Sequence, residues 1–295
     1  MLSGSFSLAG FKVSLLDYRP DRAEHLHRQG IILVRQGREE KVRVPVFCQP
    51  GAGLQADLLF LCVKASAVAA TINQIQPLLN ANNLLITLQN GIGHLDFLNE
   101  SLGQRGAWAA GVTALGAHLR AVGEVVFAGS GLSRFGFPGS AGDMAKQLLN
   151  RVVIVFKQSG FDAEVTDAIE QRIWEKLMIN VGINALTAIH ELTNGQLLED
   201  PALTTTMRAA ITEAEDVAKA RGIALAGDSF AGTAAVCRAT STNISSMLQD
   251  VRHHKRTEID AINGAIVRLA EELGIEAPAN RSLTEQVKKL EQRYL

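Results

Sequence analysis

Two hydrophobic periods divide this chain near residue 165. Before it, short β-rich runs at 12–16, 31–34, 42–47, 58–63, 84–88 and 124–128 alternate with helical stretches. Strand, helix, strand is the signature of βαβ units and a largely parallel sheet. The run Asp57-Leu-Leu-Phe-Leu-Cys-Val63 is apolar almost throughout, as a parallel strand covered on both faces requires. Residues 143–158 carry a helical period, and a short strand near 161–165 closes this half.

Beyond residue 165 helical periods run over 167–190, 201–221 and about 244–273. Asp200 before Pro201 is an N-cap with proline at the first helical position, and Gly222 falls just past the C-terminus. The pattern predicts an α/β domain over 1–165 and an all-helical domain over 166–295. Segment 173–189 is apolar nearly all round, which marks a buried helix. Lys176, Asn180 and Asn184 nevertheless recur along it at i, i+4 and i+8, drifting only about 80° at 3.6 residues per turn. An ammonium and two amides beside apolar surface are costly unless they face a partner or a cavity. A solvent-facing stripe is the competing reading. Such a stripe is usually broader and more charged, so the ribbon favours a ligand pocket.

A second polar cluster runs from Thr242 to Asp250 and on through Lys255, Arg256, Glu258 and Asp260. Small polar residues at a helix start are most often caps, and Asn243 and Ser246 read that way as readily as ligands. Glu258, beside two cations, reads as a solvated helix charge at least as readily as a functional carboxylate. His253 and His254 are adjacent and point apart on a helix, so no metal site is expected.

Charge and cysteine content narrow the partners. The 29 basic and 30 acidic side chains leave a formal net charge of −1, which argues against nucleic acid held through its phosphates. No apolar run approaches the roughly 18 residues of a membrane span. Cys48, Cys62 and Cys237 are scattered and form no C-x-x-C pair, against a disulfide framework or structural zinc and in favour of a reducing cytoplasm.

A nucleotide-binding α/β domain normally opens with a strand and a G-x-G-x-x-G loop. This chain opens with MLSGSFSLAGFKVSLLDYRPDR, which reads as the back half of a helix, a turn at Gly10 and a strand ending at Asp17, with Arg19 just beyond. An acid there holds the ribose hydroxyls of NAD, and a nearby arginine accommodates the 2′-phosphate of NADP. The same two residues read equally well as a helix cap and a solvated charge.

Taken together, WEKLMINVGINALTAI, the later TNG, NISSMLQDV and RTEIDAINGAIV resemble the 2-dehydropantoate 2-reductase (ketopantoate reductase) family. FLCVKA around Lys64 and LQNGIG around Asn90 agree, so the resemblance covers essentially the whole chain. It implies a Rossmann-like doubly wound sheet followed by a helical domain of the 6-phosphogluconate dehydrogenase C-terminal type. The implied reaction is reduction of ketopantoate, a small 2-oxo acid, to (R)-pantoate for pantothenate and coenzyme A synthesis. The implied cofactor is NADP(H), with NAD(H) left open by Asp17. Lys176 matches the family's general acid, and Glu258 the acid that positions the site and touches the cofactor. Asn180, Asn184 and Asn194 match amides that bind substrate hydroxyl and carboxylate groups, and Asn243 and Ser246 fall where the carboxylate end is gripped. Lys64, Asn90 and the backbone at Ala117 match cofactor contacts, Asn90 lying also near substrate. Arg19 lies close to the 2′-phosphate arginine, one position late. A homodimer through the helical half is a further implication.

The family pattern also places a strand and Gly-rich loop, roughly a dozen residues, ahead of Met1. That strand is central, so in its absence two neighbouring strands are expected to carry unpaired edges, and residues 1–295 to bind NADPH poorly or not at all. Two other readings stand beside the first. One is a reductase of another branched 2-oxo acid, since apolar pockets separate homologous substrates only modestly. The other is a catalytically inactive dehydrogenase-like binding protein, for which the absent loop argues and against which Lys176, Asn180, Asn184 and Glu258 argue.

Overall fold

In the computed structural model, which describes residues 1–51, 53–102 and 106–295, helices and strands alternate through the first half. Their order is α1 (Leu2–Leu8), β1 (Leu15–Leu16), α2 (Pro20–Gln29), β2 (Ile31–Arg35), β3 (Arg38–Val42), β4 (Val46–Phe47), β5 (Leu58–Leu61), α3 (Val68–Ile75) and β6 (Leu84–Thr87). Then follow α4 (Leu95–Leu102), β7 (Ala107–Val112), β8 (Gly116–Ala121), β9 (Glu124–Gly129), β10 (Ser133–Gly136), α5 (Asp143–Gln158) and β11 (Ala163–Val165). The rest is helical: α6 (Ile169–His190), α7 (Pro201–Ala220), α8 (Ser229–Ala239), α9 (Ser246–Arg252), α10 (Asn263–Leu273) and α11 (Pro278–Glu291). One unit comprises Met1–Cys62, Ala69–Leu88 and Leu102–Ile169; the other comprises Val63–Val68, Gln89–Ser101 and Glu170–Leu295. The loops after β5 and β6 therefore belong to the helical unit.

The first unit is built on a sheet of order β11-β10-β7-β6-β5, in which β5, β6 and β7 run parallel. Every residue of β6 is buried, Thr87 included, as a central parallel strand covered on both faces allows. Helix α5 turns Leu148, Leu149, Val152, Val155 and Phe156 inward at helical spacing, where Phe135 and Phe156 meet edge-on at 4.8 Å. Strands β1 and β4 form a separate parallel pair. Among the described residues β1 pairs only with β4 and β5 only with β6. A third sheet, of order β3-β2-β9-β8, is mixed.

Two sequence expectations need correction. The run 42–47 is not one strand: β3 ends at Val42, and β4 begins at Val46 after Pro45, which lacks the N–H a ladder needs. The main sheet is largely parallel, as expected, with only the β10–β7 pairing antiparallel among its described strands. The helix expected over 244–273 is broken into α9 and α10 by an irregular segment carrying Glu258. Helices α8 and α11 also form where the pattern assigned no element.

A buried polar network ties the helices of the second unit. The Asn280 amide donates to Ala210 O (2.9 Å) and Glu213 Oε2 (2.8 Å), and accepts from Asn263 Nδ2 (3.0 Å), which also donates to Val181 O (3.2 Å). Glu213 in turn caps α11 by accepting from Ala279 N (2.7 Å) and Asn280 N (2.9 Å). Alanine at 280 strands several of these groups in a fully buried place, so Asn280→Ala is expected to cost about 2–4 kcal/mol. Urea unfolding should show the loss as a lower midpoint at unchanged slope.

Candidate active site

Gly182 sets the orientation of α6. A Cβ there would meet Ile211 Cδ1 at 2.8 Å and Met207 Cγ at 3.2 Å on α7, and Thr233 Cγ2 at 3.0 Å on α8. This face packs tightly, and Asn180 and Asn184 lie opposite it, each two residues away along a helix. They are not solvated: Asn184 is buried and Asn180 half-buried, and the amide nitrogen of each is buried without a hydrogen-bond acceptor. Buried amides of this kind are costly unless a partner arrives. The ribbon therefore fits a ligand-facing surface and not a solvent stripe.

Lys176 continues the ribbon one turn earlier. Burial lowers its pKa from the ordinary lysine value, and the negative charge of Glu258 partly restores it. Glu258 is not on a helix. It precedes a 3₁₀ turn (Ile259–Ala261), where its carboxylate accepts from Ala65 N (3.3 Å) and Asn90 Nδ2 (3.1 Å). Asn90 is held there because Gly91, at φ +77°, lies so close to Ala261 that an added Cβ would fall 2.1 Å from its carbonyl oxygen. Lys64 pairs with Asp250 and donates to Arg256 O (3.1 Å). Lys64, Asn90, Lys176 and Glu258 thus meet through the helical unit, although the first two follow strands of the sheet.

Asn194 lies just beyond α6. Its N–H donates to Asn243 O (2.9 Å) and its amide to Thr240 Oγ1 (2.9 Å), while its buried Oδ1 has no donor. The expected cap at the start of α9 is neither Asn243 nor Ser246, which are both exposed. Ser245 caps instead: its Oγ accepts from Leu248 N (3.1 Å) and from Thr187 Oγ1 of α6 (2.7 Å). Two adjacent serines in NISSM give a sequence no means of choosing between them. Asp250 and Ser245 were both missed for this reason: their partners lie far away in sequence.

In the first unit Asp17 is buried at the end of β1 and does not cap α2, whose N-cap is Arg19. Burial would raise the Asp17 pKa, but the Arg22 guanidinium, bound through both carboxylate oxygens, and the Arg19 N–H (3.1 Å) hold it below the ordinary value. Arg22 also lies 5.6 Å from the centre of the exposed Tyr18 ring. The side chain of Arg19 is exposed. Ala117 is exposed near the start of β8, opposite Phe127 of β9. Among the described residues no His, Cys, Asp or Glu cluster suits a metal ion, and no helix is long and apolar enough to cross a membrane.

Comparison with known proteins identifies the family. Residues 1–139 match the family model described as Ketopantoate reductase PanE/ApbA, and residues 168–291 match its C-terminal counterpart. The 2-dehydropantoate 2-reductase of Vibrio cholerae is 36% identical over 246 residues, 82% of this chain and 80% of that protein. The enzyme of the same name from Halobacterium salinarum is 31% identical over 94% of this chain and 90% of its own. Among solved structures, the PanE/ApbA family ketopantoate reductase from Ralstonia eutropha JMP134 superposes with a TM-score of 0.89 at 31% identity, covering 99% of this chain and 95% of that one. The ternary structure of D-mandelate dehydrogenase with NADH and anilino(oxo)acetate superposes at 0.90 with 25% identity, over 99% and 95% of the two chains. By sequence and fold, this oxidoreductase chain belongs to the ketopantoate reductase family.

Proposed function

We propose that the protein reduces the 2-oxo group of ketopantoate to (R)-pantoate with NADPH. The observation that carries this reading is the α6 ribbon: a lysine with a lowered pKa followed by two buried amide nitrogens that lack acceptors. A 2-oxo acid bearing a hydroxyl offers those groups what they lack. Asn180 and Asn184 donate to its oxygens, and the unpartnered Asn194 Oδ1 accepts from its hydroxyl. Asn243 and Ser246, exposed beside the start of α9, suit its carboxylate end.

The reduced nicotinamide, when bound, supplies the reducing equivalent to the ketone carbon. The protein's part is to place the carbonyl and to protonate the oxygen as it becomes an alkoxide. Lys176 Nζ is that proton donor, and the negative charge of Glu258 favours its protonated form. Lys64, Asn90 and the Ala117 backbone are assigned to cofactor contacts. Three unpaired thiols accord with a cytoplasmic setting.

The residues after β1 fit the phosphate of NADPH better than the bare ribose of NADH. Both Asp17 oxygens already have donors, leaving few lone pairs for a ribose diol, whereas Arg19 and Arg22 bring two cations against one carboxylate. Arg22→Ala frees Asp17 to accept ribose hydroxyls and to repel a phosphate. The ratio of NADPH to NADH affinity is expected to fall by about 10–100-fold, the worth of one or two charge-assisted hydrogen bonds. Fluorescence titration of both nucleotides measures it, and an unchanged ratio would remove Arg22 from the cofactor site.

The functional reading itself is tested by ketopantoate-dependent loss of NADPH absorbance at about 340 nm. The assay is run on residues 1–295 and on the same chain with a strand and Gly-rich loop added ahead of Met1. Turnover with ketopantoate in either form supports the reading. Turnover with other branched 2-oxo acids alone, or with none, overturns it.

A further inference from the structure

The segment between α9 and the Glu258 turn is fastened alternately to two different places. Helix α9 ends with His254 in the left-handed region (φ +53°), and the reversal is closed by His254 N donating to Val251 O (3.0 Å) and Lys255 N to Asp250 O (2.9 Å). Such a position usually takes glycine. Here the imidazole stacks on Tyr294, with ring centres 5.2 Å apart and planes 21° apart. The Tyr294 hydroxyl donates to Lys255 O (3.2 Å). Glu291, at the end of α11, accepts from Thr257 N (2.6 Å), and both residues are more than nine-tenths buried. The groups between these anchors face the site: Arg256 O receives Lys64, and the Glu258 carboxylate receives Ala65 N and Asn90. Residues 255 and 257 are held by the C-terminal end, and residues 256 and 258 hold the candidate site.

We propose that Glu291 and Tyr294 are positioning residues that brace this strap, so that Glu258 stays against Ala65 and Asn90 with its charge on Lys176. The inference rests on the catalytic reading of Lys176 and Glu258 given above. A carboxylate as buried as Glu291 is expensive to keep for one backbone N–H unless the geometry of that backbone matters. Neither residue lies near the ribbon in sequence, and Tyr294 is only one residue from the end of the chain.

Three variants separate bracing from mere packing. Glu291→Ala leaves Thr257 N without an acceptor, Glu291→Gln restores a carbonyl acceptor, and Tyr294→Phe removes one hydroxyl while keeping the stack. Glu291→Ala is expected to lower kcat by about 10–100-fold, the cost of a catalytic group displaced by about an ångström. KM should change little, and the alkaline limb of the pH–rate profile should move to lower pH as Glu258 leaves Lys176. Gln should recover most of the loss, and Tyr294→Phe should show a smaller decrease of the same kind. Amide hydrogen exchange of Glu291→Ala should show faster exchange at 254–258 and also at Ala65, whose N–H depends on Glu258. A lower melting temperature with kcat, the alkaline limb and Ala65 exchange all unchanged overturns the proposal. If the unsubstituted protein does not turn over ketopantoate, the functional reading fails separately. Exchange then decides the brace: lost protection at Ala65 supports it, and retained protection overturns it.

Discussion

Alanine at position 176 is expected to lower kcat for ketopantoate by about 10²–10⁴-fold, the usual worth of a positioned general acid. NADPH binding should be nearly unchanged, because the loss falls on proton delivery and not on holding the nucleotide. Absorbance assays at saturating substrate, paired with fluorescence titration of NADPH, separate the two. The same burial that makes Lys176 useful makes it a burden on folding. Its pKa in the folded protein lies below the ordinary 10.5, with burial as the larger cause and Glu258 opposing it. Between the lowered value and 10.5 the unfolded chain binds more protons than the folded one, so stability rises with pH across that window. Lys176→Met, which fills the space without a titrating group, should flatten that slope while leaving the enzyme inactive. Denaturation curves taken from neutral to alkaline pH measure it, and a slope unchanged in the variant would mean that Lys176 is not its source.

Much of this site was legible in the sequence because α6 carries it in one stretch. A 3.6-residue period preserves the spacing of Lys176, Asn180 and Asn184 whatever surrounds the helix, and an apolar background makes three polar residues stand out. The parallel strands were legible for the same kind of reason, since β5 is an unbroken apolar run and β6 is apolar up to Thr87. Strand β7 was missed because its Ala-Trp-Ala-Ala-Gly-Val has few β-branched residues, and β8 because a mostly exposed edge strand need not be apolar. The break between α9 and α10 was hidden for another reason. Its backbone groups are satisfied by Glu291, Tyr294 and Lys64, which no local window contains. Glu258 consequently looked like one more charge on a helix. Asp17 and Arg19 stand out in the sequence, but Arg22, one helical turn beyond Arg19, is the residue whose guanidinium binds both Asp17 oxygens.

Glu258→Gln is the sharper test of how the two halves of the site cooperate. The amide keeps the size of the carboxylate and one carbonyl oxygen, so Ala65 N or Asn90 can still donate to it, but the charge is lost. The carboxylate raises the Lys176 pKa against the effect of burial, so its removal must lower that pKa further. The protonated fraction of Lys176 then falls at any pH near the alkaline limb, and the limb must move to lower pH. At mildly alkaline pH, kcat should drop by about 10²-fold or more, and lowering the pH should recover part of it. Asn90→Ala serves as the counterpart, since it removes a neighbour of Glu258 without altering charge. It is expected to weaken binding while leaving the limb in place. An alkaline limb that stays put or moves upward in Glu258→Gln would falsify the pairing of Glu258 with Lys176. A limb that moves down by the same amount in both variants would assign the effect to the Asn90 contact and not to the charge.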